Sequence, residues 1–184
     1  SNKKNKLNEH KNSLCVTYPR TVSIIFGHYP YPEVIHNLLL EIKNNIDPEM
    51  ENYTHVKGGM TDWHYFLKND LFTNFMTDIF EYFLEKRTIR EAWGNEVKSG
   101  DHLNPHIHNH IHGILYLTEG CDLILPDLNI SITPHPGDYY MFPPQIVHGF
   151  DKYEGKTNRY SLIFNIEENG QAFEFEKKKK KING

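Results

Sequence analysis

A chain of 184 residues with 38% hydrophobic and 13% aromatic side chains has the size of one domain and can bury a core, so no second domain is required. A net charge of -4 excludes a partner chosen by bulk charge, and neither nucleic acid nor an anionic membrane surface is indicated. Two cysteines, Cys15 and Cys121, exclude a disulfide framework and any Cys-x-x-Cys motif, and no apolar run approaches the roughly 18 residues of a membrane span; the expected setting is a reducing cytoplasm.

In chain order, residues 1 to 13 are polar and lack apolar periodicity, so this start is expected to be disordered. Thr21 to Phe26 reads as a first strand from its β-branched content. Pro32 then starts a helix reaching about Asn45, with Val34, Leu38, Leu39 and Ile42 on its apolar side. A second helix is expected from Asp70 to about Lys86, where Leu71, Phe72, Phe75, Met76, Ile79, Phe80, Phe83 and Leu84 form one broad apolar stripe suited to packing on a sheet.

After Trp93 the pattern changes to short strands punctuated by Gly, Pro, Asn and Asp. AWGNEV, NPHIH, GILYL, CDLIL, LNISI, DYYMF and RYSLIFNI each read as a strand. The predicted fold is therefore mainly β (α+β), a barrel braced by N-terminal helices. The expected organisation is a disordered start (1–13), a strand and two helices (14–92), a β core (93–166) and a Lys-rich tail (167–184), in which Lys177 to Lys181 is a solvated like-charge block.

Twelve histidines are present, five of them between His102 and His112. Asn104 to His112 reads NPHIHNHIH, so on an extended strand His106, His108, His110 and His112 share a face and two neighbours can reach one metal ion. Imidazole is the commonest side-chain ligand for Zn, Fe, Cu and Ni. A third ligand must come from elsewhere, and His148, beyond the PHPGD turn, the DYYMF strand and Pro143-Pro144, is the candidate. In RYSLIFNI the period of two places Arg159, Ser161, Ile163 and Asn165 on one face; a guanidinium fork with a hydroxyl beside it suits a buried carboxylate.

The order His-x-His, an apolar strand with Tyr-Leu, Pro-x-x-Gly-Asp, Phe-Pro, His and Arg-x-Ser resembles the Fe(II)- and 2-oxoglutarate-dependent oxygenases, and within them the prolyl-hydroxylase-like group that includes bacteriophage members. The resemblance covers about Trp93 to Asn165. It implies a double-stranded β-helix, a cupin-like jelly-roll barrel, with Fe(II), 2-oxoglutarate and O2 as reactants. It also implies hydroxylation of a substrate that the sequence does not identify, such as a protein or peptide proline. Carried over, His106 and His148 are metal ligands, and Arg159 with Ser161 anchors the cosubstrate, while Tyr116 and Asn95 would line the site. No His-x-Asp or His-x-Glu occurs in the chain, so His108 stands where that family has a carboxylate, giving an all-histidine set. His110 and His112 are reserve ligands if the register shifts by two.

A second resemblance, to cupins proper, rests on Gly100 before His106 and His108, and on Gly137, Pro143 and His148. It lacks the cupin Glu after His-x-His and has Gln145 and Lys152 where that motif has Gly and Asn. It implies the same barrel, with a metal but without 2-oxoglutarate chemistry, and three histidines are equally a zinc-enzyme set.

Overall fold

The computed structural model describes residues 22–50, 58–120 and 122–168; Thr21, the expected disordered start and the Lys177 to Lys181 block lie outside them. Ten strands among the described residues form two antiparallel sheets. The larger has the order β1 (Ile25–His28), β8 (Asp138–Phe142), β5 (Ile111–Tyr116), β10 (Arg159–Glu168), β3 (Arg87–Val97) and β2 (Gly59–Met60). The smaller has the order β4 (Leu103–His106), β9 (His148–Phe150), β6 (Leu123–Leu125) and β7 (Ile130–Ile132).

Helix α1 (Pro32–Asn44) starts as expected on a proline, carries Glu33 in its first turn and Lys43 in its last, and buries Ile35, Leu38 and Ile42. Helix α2 (Asp70–Leu84) is capped by Asn69, whose side chain accepts from the Phe72 backbone N–H at 3.0 Å. Both helices cover the outer face of the larger sheet. Phe164 of β10 is the hub of that layer, its ring centroid 5.8 Å from Phe72, 6.3 Å from Phe75 and 6.1 Å from Phe80. Each such ring, fully buried, contributes roughly 1.5–3 kcal/mol.

The period of two separates the layers. On β10, Tyr160, Leu162, Phe164 and Ile166 join the helix-facing core, while Ile163 joins the core between the sheets with Trp93, Ile114, Tyr116, Tyr140 and Phe142. At Gly94 of β3 a Cβ would lie 2.3 Å from Ile42, so only glycine lets α1 approach that closely.

The first strand is shifted from the expected Thr21 to Phe26 because its partner β8 sets the register, Ile25 opposite Met141 through His28 opposite Asp138. β3 begins at Arg87, earlier than the Ala92 expected, since β10 pairs with it over its full length. The strands expected from Cys121 and Leu128 start at Leu123 and Ile130; Pro126–Leu128 forms a 3-10 turn that ends on Asn129 at φ 52°.

Candidate metal centre

The four alternating histidines do not share one strand. β4 ends at His106 and β5 begins at Ile111, because the chain crosses here from the smaller sheet to the larger. The crossing loop is tied to the turn before β9: the Gln145 backbone N–H donates to the His108 carbonyl at 3.0 Å and its side chain to Asn109 Oδ1 at 3.1 Å. Gln145 itself sits at φ 73°, a left-handed backbone that favours the glycine cupins carry at this place.

These connections bring together His106 from β4, His108 from the loop and His148 from β9, with one ring nitrogen of each within 4.8 Å of the others. His106 and His148 face each other in the β4–β9 ladder, ring centroids 4.4 Å apart. Their tautomers follow from their neighbours. His106 Nδ1 lies 3.1 Å from the Asn104 carbonyl and His148 Nδ1 lies 3.1 Å from the Ile146 carbonyl; a carbonyl only accepts, so both Nδ1 atoms donate and both Nε2 atoms are left as lone pairs.

His106 Nε2 faces His108 Nε2 at 3.1 Å, so a proton on His108 or a shared cation lies between them. His148 Nε2 is buried and has no hydrogen-bond partner among the described residues. Coordination would satisfy that atom. Burial first, then the neighbouring His106, pushes the His148 pKa down to about 4 against the backbone bond to Ile146, keeping the ring neutral and able to ligate at neutral pH. Three convergent imidazoles suit a divalent transition metal, and the residues present fit one.

Of the reserve positions, His110 Nδ1 lies 3.8 Å from Glu167 Oε1. His112, buried on β5, stacks on His108 at 4.0 Å between centroids and 6° between planes. Its Nδ1 meets Asn165 Oδ1 at 2.8 Å, and Asn165 Nδ2 donates to Glu91 Oε2 at 2.8 Å. Burial, then His108 and His148, holds the His112 pKa well below the usual imidazole range, with Asn165 opposing.

A cavity of about 470 Å³ connects this cluster to the inner face of the larger sheet. Its floor is a series of rungs set by the pairing of β3, β10 and β5: Glu91, Asn165 and His112; Trp93, Ile163 and Ile114; Asn95, Ser161 and Tyr116; then Val97 beside Arg159. Arg159 is only 4% exposed, its guanidinium carbon 4.7 Å from the Phe150 ring centroid and 5.3 Å from that of Tyr116. Gly120 makes room for it, since a Cβ there would lie 2.0 Å from Arg159 Cδ. Ser161 is buried, and Asn95 Oδ1 accepts from Trp93 Nε1 at 3.1 Å. Sequence reasoning named Asn95, Tyr116, Arg159, Ser161 and Asn165 of the cavity's lining, besides the histidines of the 106–112 run and His148, and missed Glu91, whose only signal was its place two residues before Trp93.

No family model matches the sequence, and no curated protein aligns with it significantly. Solved structures do match the fold. A prolyl-4-hydroxylase from Pseudomonas putida superposes with a TM-score of 0.61 at 13% identity, over 80% of this chain and 94% of the other. A viral collagen prolyl hydroxylase from Paramecium bursaria Chlorella virus-1, in complex with 2-oxoglutarate, gives 0.59 at 11% identity over 80% and 96%. HygX from Streptomyces hygroscopicus, with nickel and 2-oxoglutarate bound, gives 0.60 at 8% identity over 79% and 83%. The chain therefore has the double-stranded β-helix fold that these oxygenases share.

Proposed function

We propose that this protein is an Fe(II)- and 2-oxoglutarate-dependent dioxygenase that hydroxylates a second substrate. The observation that carries the reading is that one cavity joins three convergent imidazoles, His106, His108 and His148, to a buried guanidinium, Arg159, with the Ser161 hydroxyl two residues further along the same strand face. The prolyl hydroxylases of the same fold make a peptide or protein residue such as proline the first class to try.

Held by the three imidazoles, ferrous iron would supply chelation of the 2-oxo acid and activation of O2. The chain's own residues do the rest. The Arg159 fork binds the far carboxylate of the cosubstrate in two hydrogen bonds, and Ser161 donates a third. The Phe150 and Tyr116 rings flank the guanidinium and keep water from competing for it. Asn104 and Ile146 fix the planes of His106 and His148 through their Nδ1 protons. Asn95 and Tyr116 flank Ser161 on the same rung of the cavity floor. With two cysteines and a ferrous ion to keep reduced, the proposed setting is the cytoplasm.

Titrating anaerobic Fe(II)-loaded protein with 2-oxoglutarate tests the proposal. A weak visible charge-transfer band and, on aeration, release of succinate are expected. No band would turn the reading to a cupin-type metal protein, for which the all-histidine set also serves.

A further inference from the structure

The cavity is electrically polarised in a way that cosubstrate binding does not use. Arg159 stands at one end of the β10 face. Glu91 stands at the other, opposite Asn165, six residues and so about 20 Å along the strand. Glu91 Oε2 accepts from Asn165, which fixes the carboxylate, and among the described residues Oε1 has no hydrogen-bond partner. Among the described residues no lysine or arginine pairs with it: Arg90, on the other face of β3, is committed to Glu167 at 2.5 Å, and Arg87 lies over the Phe83 ring.

Beside this carboxylate, Trp63 and Trp93 line the same cavity with ring centroids 4.7 Å apart and planes at 69°. Indole faces are the best cation-π partners among side chains, and two indoles near a right angle beside a carboxylate form the walls of a cation site. A neutral guest covering this end would strip water from the charge of Glu91 and return nothing. We propose that Glu91, Trp63 and Trp93 form a subsite for an alkylammonium group of the second substrate.

The word substrate rests on the dioxygenase reading; the cation preference does not. The test uses the full metal-loaded chain with two probes of matched shape, Nα-acetyl-lysine amide and Nα-acetyl-norleucine amide, their affinities followed by tryptophan fluorescence. The wild type is expected to favour the lysine probe at least tenfold. Glu91→Gln, which keeps an oxygen for Asn165 but removes the charge, should bring that ratio near one, weakening the lysine probe and strengthening the norleucine probe. Trp63→Leu should weaken the lysine probe severalfold with Glu91 intact. Equal affinities in the wild type, or a ratio unchanged in Glu91→Gln, would overturn the proposal. Cation preference without a 2-oxoglutarate band would instead sink the dioxygenase reading and leave the subsite standing.

Discussion

Arg159 separates an oxygenase from a generic metal barrel, and its environment sets the size of the effect. The guanidinium is buried between Phe150 and Tyr116, so a carboxylate meeting it is shielded from water on both sides. Charge-assisted hydrogen bonds of this kind are worth about 1.5–3 kcal/mol, or roughly 10- to 150-fold in affinity. Arg159→Ala should therefore weaken 2-oxoglutarate by at least tenfold while metal content stays stoichiometric. Arg159→Lys should fall between the two, because an ammonium cannot present the planar fork. Gly120→Ala supplies an independent check: its methyl group would lie 2.0 Å from Arg159 Cδ, so it must move the fork without altering its charge, and should weaken binding as well. The assay is an anaerobic titration of the charge-transfer band, with metal content by mass spectrometry and circular dichroism on each variant. Affinity within twofold of wild type in a folded, metal-loaded Arg159→Ala would refute the cosubstrate assignment.

Three further outcomes are expected. His148→Ala should abolish stoichiometric metal uptake, measured after dialysis against Fe(II) or Zn(II); half-retention would place the ion on the His106 to His112 segment alone. In the metal-free protein, His148 is held near 4 when folded against an ordinary 6.5, so stability is complete above about pH 6.5 and falls as the pH drops toward 4, by about 3 kcal/mol, with His112 acting in the same direction. Urea midpoints between pH 8 and pH 4.5 with a chelator present read this, and a flat profile would contradict the buried neutral imidazoles. Gly94→Ala should lower stability by about 1–3 kcal/mol through collision with Ile42, which a thermal melt would show as a drop of roughly 2–12 °C.

The sequence reveals elements whose signal is local. α1 and α2 are legible because the leading proline of the one and the apolar stripe of each lie within one segment, and the alternation of β10 separates Arg159, Ser161 and Asn165 from the helix-facing core without reference to any other strand. What is not legible is whatever a partner decides. β1 takes its register from β8, and β3 extends back to Arg87 because β10 is long enough to pair with it. The histidine run is the clearest case. Spacing predicts one face of one strand, yet the run straddles a crossing between sheets, and it is the tie from Gln145 to His108 that returns the second histidine to the cluster. The chain from His112 through Asn165 to Glu91 joins three strands, and no single segment contains its signature.

The two walls of the barrel are unequal. The larger sheet has strands of 10 and 11 residues and a double helical backing, whereas the smaller one is made of strands of three and four residues. Two of the three convergent histidines, His106 and His148, belong to that thin wall, and the third hangs on the loop joining it to the thick one. An ion held by these three would act as a clasp, tying β4 and β9 of the thin wall to the loop that leads to the thick one, and would stabilise the folded state by mass action.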